Sequence, residues 1–343
     1  MSQPSGPARL DWLDELRGVA CMLVFLHHAA YSFEGALEKH PVIYNFWFHL
    51  VIPNVDFGVF GVFLFFLISG IVIPASILRG QATTGQFLIR RFYRIYPLYL
   101  GSLALAFAIY STPITAIMAN LTFFPKLLGH TEALGVYWSL QVEVIYYVLV
   151  AVLIATGWLH SRLTSWLFFI LTGALTMTLA SLRQYIPNLP VSPAISMFCI
   201  SAGYLHYQSN LAQSHPTPLA SRVTMACIAG LVAIGGYISR NPKYMDKFAY
   251  ASSIMLAFLL IYTYPIFRQV VPRAIRHGIG FIGTISFSVY LIHQPLLHYF
   301  QSHNWFNFPV YLSIPTALLL TLAASYTTYR VLEKPFLRKK RCA

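Results

Sequence analysis

Three apolar stretches of this chain carry ionisable side chains, each of which costs about 2–3 kcal/mol in hydrocarbon unless it faces protein or water. The first, LDELRGVACMLVFLHHAAYSF from Leu13 to Phe33, holds Arg17 and His28 eleven residues apart. Eleven helical steps of about 100° end roughly 20° past three full turns, so both side chains fall on one face, about 16 Å apart along the axis. The second, YWSLQVEVIYYVLV, puts Glu143 about two turns into its apolar run, with Ser139 one turn earlier on the same face. The third, SFSVYLIHQPLLHYF, carries Tyr290 and His293. Counted from the ends of their stretches, His28, Glu143 and His293 come to similar depths. An imidazole beside a carboxylate can be held as a base near neutral pH, so the three together predict a buried proton-handling site. Each also has a structural reading: Arg17 as a snorkelling interfacial residue, His28 as a hydrogen-bonding partner of another helix, Glu143 as a lock between helices. His27 points to a different face from His28 and is expected to be structural.

A second constellation lies in FLIRRFYRIYPLYL, where Arg90 and Arg91 precede Arg94 by four and three residues. On a helix that spacing gathers three guanidinium groups, which suit phosphate oxygens through bidentate hydrogen bonds, whether of a ligand or of lipid headgroups. Ser69 and Gly70, with Gly58 and Gly61, are small residues in the aromatic run FGVFGVFLFFLISG, leaving room for close helix packing or for a slender substrate. No P-loop, dinucleotide fingerprint, zinc-protease motif or nucleophile elbow occurs. Cys21, Cys199, Cys227 and Cys342 are far apart and make neither a metal site nor an evident disulfide pair.

The elements that must hold these residues follow from composition. Of 343 residues 57% are hydrophobic and 10% charged, too few charges to coat a soluble globule of this size. Apolar runs near the roughly 20 residues that cross a bilayer recur along the whole chain. Ten spans are predicted, at about 13–33, 56–78, 96–111, 137–157, 164–182, 191–208, 219–238, 248–267, 280–301 and 309–331, giving an all-α integral membrane protein with one membrane domain over 1–343. The long connections fall at 79–95, 34–55 and 112–136, the last with an apolar piece too short to cross. Seventeen Lys and Arg residues fall on one side of this arrangement and six on the other, which places both termini in the cytoplasm. The net charge of +13 therefore reports topology and not nucleic-acid binding. The polar, acidic start before the first span is unlike a cleaved signal peptide.

Taken together, these segments resemble the membrane acyltransferase-3 family. Its opening L-D-x-L-R-G with a His eleven after the Arg is met by Leu13, Asp14, Leu16, Arg17, Gly18 and His28. Its F-F-x-x-S-G is met by Phe65, Phe66, Ser69 and Gly70, and its R-R-x-x-R-I-Y-P by Arg90, Arg91, Arg94, Ile95, Tyr96 and Pro97. The W-S-L-x-x-E segment falls on Trp138, Ser139, Leu140 and Glu143, the Y-L-x-H-x-P-L segment on Tyr290, Leu291, His293, Pro295 and Leu296, and the closing E-x-P-F on Glu333, Pro335 and Phe336. Glu15 stands where a Gly is common, and Phe63 where many relatives carry a polar or acidic residue.

The resemblance implies a multi-pass enzyme of the bacterial cytoplasmic membrane that moves an acyl group, acetyl above all, from cytoplasmic acyl-CoA to a hydroxyl of a surface or exported carbohydrate. It implies no permanently bound cofactor and no metal; acyl-CoA is a substrate. On this reading His28 and Glu143 are the catalytic pair, with His28 taking either the hydroxyl's proton or the acyl group. Arg17, Arg90, Arg91 and Arg94 bind the donor, and Ser69, Ser139, Tyr290 and His293 line the substrate path. The alternative from another class is a transporter or flippase using buried His, Glu and Arg as a relay. Matching halves with interrupted helices, which that reading needs, are not evident in the sequence.

Overall fold

In a computed structural model, the described residues are 11–80, 82–110, 112–211, a few positions between 230 and 237, 247–303 and 309–338. Among them the chain is helical with no strand. Nine long helices carry the architecture: α1 Asp11–Ser32, α2 Phe57–Gly80, α3 Thr84–Tyr110, α4 Tyr137–Ala155, α5 Arg162–Leu182, α6 Val191–His206, α7 Lys247–Phe267, α8 Arg273–Ser302 and α9 Val310–Thr328. The expected span at 219–238 lies largely outside the described residues.

Seven of the nine are long and apolar enough to cross a membrane, the last running through a π turn to Phe336. The chain is an all-α, multi-pass membrane protein. The two helices that miss the criterion have physical reasons to do so. α1 carries Asp14, Glu15, Arg17, His27 and His28, and α6 has only 16 residues, twelve of them buried. Both pack inside the bundle, α1 between α2 and α8 and α6 between α2 and α5, so neither needs an apolar surface all round. α5 shows the opposite pattern: Leu163, Leu167, Ile170, Leu171 and Leu175 are exposed along one face, while Ser165, Thr172 and Thr176 are buried on the other. Thr172 meets Ser201 of α6 hydroxyl to hydroxyl at 2.8 Å. A face of leucines turned outward and hydroxyls turned inward suits hydrocarbon as solvent.

The loop expected over 79–95 is not a loop. α2 continues to Gly80 and α3 begins at Thr84, so Arg90, Arg91 and Arg94 sit two to three turns inside a helix. The signal is a capping box. The Thr83 N–H donates to Gln86 Oε1 at 3.2 Å, and the Gln86 N–H donates to Thr83 Oγ1 at 3.3 Å, satisfying two otherwise free donors of the first turn. The long connection 112–136 holds a short helix, Ile114–Asn120, and a 3₁₀ turn, Pro125–Leu128. Buried Asn120 ties it together, bonding the carbonyls of Ala116 and Thr131 and the N–H of Ala133.

The two tightest helix crossings are backbone to backbone. A Cβ on Gly283 of α8 would lie 1.7 Å from the Asp14 carbonyl oxygen, and one on Gly18 of α1 would lie 2.1 Å from that of Ile279. Gly70 of α2 and Gly203 of α6 stand in the same relation to Ile200 and Leu67, at 2.0 and 2.1 Å. Only glycine fits at such distances, and the small-residue contact replaces the hydrophobic drive that lipid removes. α1 is further tied to the end of α7: Arg268 grips both oxygens of buried Glu15, and the Tyr264 hydroxyl donates to Glu15 at 2.8 Å. That explains the Glu at position 15.

Gly283→Ala is expected to cost about 1–3 kcal/mol by forcing α1 and α8 apart. Gly278→Ala on the same helix, where a Cβ meets nothing within 4 Å, is expected to be neutral or slightly stabilising. Thermal unfolding of the two variants in detergent checks the difference.

Candidate active site

Because α1 and α8 run parallel from the glycine crossing, His28 and His293, each ten residues beyond its glycine, meet. The rings lie with centroids 5.0 Å apart, and His28 Nδ1 is 3.3 Å from His293 Nε2. His293 is buried and its Nδ1 is 3.0 Å from the Val289 carbonyl, which can only accept, so Nδ1 carries the hydrogen and Nε2 the lone pair. His28 Nδ1 is 2.9 Å from the Val24 carbonyl and faces that His293 lone pair, so it too carries the hydrogen. The basic nitrogen of His28 is therefore Nε2. The tautomers follow from the partners and fix which atom is free to react.

Glu143 is not brought to His28. It lies on α4 with Oε1 accepting from Tyr147 at 2.5 Å, and it faces a cavity of about 300 Å³ shared with Arg17, Arg91, Arg94, Ser69, Ser139 and Tyr290. The expected convergence of three helices at one depth thus resolves into two chambers, imidazoles in one and the carboxylate among guanidinium groups in the other. Helix-by-helix depth has an error of about a turn, and rotation about each axis is not read by counting.

The arginines form a path. Arg90 lines a shallow vestibule of about 400 Å³ together with Arg91, Arg94 and Ser76, and the last three also line the arginine chamber. Arg91 Nη2 donates to Ser76 Oγ at 3.0 Å, and its guanidinium lies 5.3 Å from the ring centres of both Phe87 and Tyr147. Arg94 is 3.9 Å from Glu333, whose other oxygen accepts from Ser288 at 3.1 Å. Arg17 is 3.7 Å from Asp14. Each guanidinium is held on one side and open to the chamber on the other.

Glu333 lies past the last predicted span, 309–331. Its side chain is only 1% exposed, enclosed where the π turn Tyr329–Glu333 winds the end of α9 back toward α3. The available signal was an acid in an otherwise basic tail, which needs a cationic partner.

Beyond Tyr290 and Val62, which line both, lies a second chamber of about 630 Å³ with His27, His28, Asp56, Trp138, Gln141 and Asn188 in its wall. The Tyr290 hydroxyl is 2.7 Å from Ser139 Oγ, itself bonded to the Val136 carbonyl at 2.8 Å, so the partition is pinned to the start of α4. His28 also borders a third cavity of about 310 Å³ with Ser32, Tyr110, Gln294, His298 and Gln301. Phe63 packs on Tyr250 in the second chamber, and the acid there is Asp56, two turns earlier on the same strip of chain. Lys126 also reaches this chamber but is paired with Glu132 at 2.8 Å. Burial works against the Glu132 charge, yet the Lys126 ammonium and the Gln141 amide outweigh it and hold that carboxyl below its ordinary value. Among the described residues no cluster of His, Cys, Asp and Glu could hold a metal ion.

Among known families, one described as an acyltransferase domain matches residues 10–330. No curated protein and no solved structure matches the chain.

The tautomer assignment has a direct check. Nitrogen NMR of histidine-labelled protein in lipid is expected to show His28 and His293 as neutral rings with hydrogen on Nδ1, and signals assigned by His28→Gln and His293→Gln. A His28 ring with hydrogen on Nε2 would remove its free basic nitrogen.

Proposed function

The chain belongs to the acyltransferase-3 family, a match spanning residues 10–330, and on that premise we propose that this membrane acyltransferase takes its acyl group from cytoplasmic acyl-CoA and delivers it to a carbohydrate hydroxyl on the other side. The observation that carries the reading is the two-chamber arrangement: a chamber lined by Arg17, Arg91 and Arg94 adjoins, at Tyr290 and Val62, a chamber containing the free Nε2 of His28.

The donor's phosphates would meet Arg90 at the vestibule and Arg91 and Arg94 at its neck. Guanidinium groups with one face open favour a multiply charged phosphate over a neutral ligand. Beyond that neck the chamber wall carries Val62, Phe65, Phe66 and Val72, with the hydroxyls of Ser69, Ser139 and Ser286 spaced among them. That suits a thin amide-bearing arm with an acyl thioester at its tip. Tyr290 stands where the thioester would pass toward His28. Glu143 and Glu333 offset the arginines' charge, so the chamber is cationic without being uniformly so.

At the second chamber the His28 Nε2 lone pair can take a hydroxyl's proton or the acyl group itself. His293, by accepting from His28 Nδ1, holds the ring in that tautomer. The excess of Lys and Arg on the arginine side supports placing that side in the cytoplasm and the His28 chamber facing outward, in a bacterial cytoplasmic membrane. An acceptor with Trp138 to stack on and Gln141, Asn188 and Asp56 to bond fits a polyhydroxylated ring.

Purified protein in lipid nanodiscs with radiolabelled acetyl-CoA tests this. Slow donor hydrolysis, or label transfer when cell-envelope glycans are added, is expected from the unchanged chain. His28→Ala is expected to lower either rate by about 100-fold or more. Arg94→Ala is expected to raise the KM for acetyl-CoA about tenfold, as loss of a charge-assisted bond does. No CoA release by the unchanged chain would overturn the donor assignment.

A further inference from the structure

With the acyl-CoA reading above as premise, we infer that His27 and Asp56 are the proton-accepting pair for the acceptor hydroxyl, while His28 carries the acyl group. His27 Nδ1 is 3.2 Å from Asp56 Oδ1. The carboxylate has no freedom to wander: Oδ1 also accepts the Val59 N–H at 2.9 Å, making Asp56 the cap of α2, and the Asp56 N–H donates to Ser253 Oγ of α7 at 2.9 Å. Room for the His27 ring depends on Gly58, where a Cβ would lie 2.8 Å from His27 Cδ2. His27, Asp56 and His28 line the same chamber.

With Nδ1–H given to a carboxylate, His27 has its lone pair on Nε2. A carboxylate on the far nitrogen stabilises the imidazolium that forms when the near nitrogen takes a proton, and keeps the ring in the right tautomer. His28 has a different environment. Its Nδ1–H goes to a carbonyl and to His293, and among the described residues no carboxylate lies within ion-pair distance of it. The two rings are neighbours, with centroids 5.2 Å apart and nearly perpendicular, so charge on one opposes charge on the other. A proton taken at His27 Nε2 makes an imidazolium in contact with an anion, whereas the acylimidazolium formed at His28 has no anion in contact and stays strongly electrophilic. The roles divide accordingly: proton transfer at His27, bond formation to carbon at His28.

The steps balance. His28 Nε2 bonds the acyl carbon as the thioester C–S bond breaks, which leaves His28 a cationic acylimidazolium with its Nδ1–H in place, and CoA leaves as a thiolate that takes a proton from water in the arginine chamber. The acceptor oxygen then bonds the acyl carbon, its proton passes to His27 Nε2, and the bond from the acyl carbon to His28 breaks, returning His28 to its neutral form. His27 releases the proton to water in the second chamber.

Asp56→Asn is the sharpest variant, because the amide oxygen still caps α2 and still accepts from His27 while the charge is gone. Rapid-quench measurement of CoA release from acetyl-CoA, with water as acceptor, is expected to show one equivalent of CoA per protein released quickly, followed by a steady rate about 100-fold below that of the unchanged protein. His27→Ala is expected to show the same burst, and His28→Ala neither phase; binding of CoA confirms that each variant is folded. An Asp56→Asn protein with a steady rate within twofold of the unchanged one, or a slowed one with no burst, overturns the division of roles. An unchanged protein that binds CoA but never releases it from acetyl-CoA defeats the donor reading itself, and this inference with it.

Discussion

Contact between two backbones sets the geometry of everything else in this protein. Gly18 on α1 and Gly283 on α8 let the helices touch with carbonyl oxygens against glycine, and the same offset recurs above them. Cys21 faces the Ser286 carbonyl and His28 faces His293, each pair 265 residues apart in sequence. Two parallel helices that share one rise per residue keep a register once it is fixed, and the glycines fix it about 15 Å below the imidazoles. A slip of one residue would move one ring by about 1.5 Å and turn it by about 100°, which no 3.3 Å contact survives. The bond between His28 and His293, and through it the tautomer of His28, is thus a consequence of two missing side chains three turns away.

The same contact explains why the helix richest in charge is interior. A segment with Asp14, Glu15, Arg17 and two histidines cannot face lipid, and each of its charges is answered. Glu15 is held by Arg268 and Tyr264, and Arg17 lies beside Asp14. Such pairs contribute little net stability, since desolvation offsets their attraction. What they contribute is uniqueness of position, because a buried charge that loses its partner is costly. The Glu15 clamp fixes the rotation of α1 at one end as the glycines fix its separation from α8, so the rings of His27 and His28, 12 and 13 residues after Glu15, are not adjustable.

Much of this was legible from residue types. The number and quality of apolar runs give an all-helical membrane protein, and the Arg17 to His28 spacing gives one face of one helix. His28 and His293, which counting places at similar depths in their apolar runs, meet. What could not be read was rotation. Glu143 sits at a plausible depth, but its face turns toward Arg17 and Arg94, and depth alone does not distinguish the two sides of a helix. The Thr83 and Gln86 box was present in the sequence and was obscured by the three arginines after it, which look like the end of a loop until the cap is noticed. His27 points away from His28 and toward Asp56, which lies 29 residues further on across a connection of short helices. A pair joined across such a connection leaves no periodic trace.

Separation of the chambers has an electrostatic consequence. Three carboxylates serve the arginine side, Asp14, Glu143 and Glu333, and one serves the imidazole side, Asp56. A guanidinium about 10 Å from an imidazole, in a medium of effective dielectric about 20, opposes a positive charge on that ring by roughly 1.7 kcal/mol, enough to slow proton uptake more than tenfold. Three arginines opening into one space with the histidines would make a base there ineffective. The acids placed among the arginines offset that field at the imidazoles, and Asp56 adds an opposing one within 3.2 Å of His27. On the proposed acyl-CoA reading, a single open cavity holding the same residues would bind the phosphorylated donor but set its guanidinium groups against the proton transfer, and division into two keeps the tasks apart.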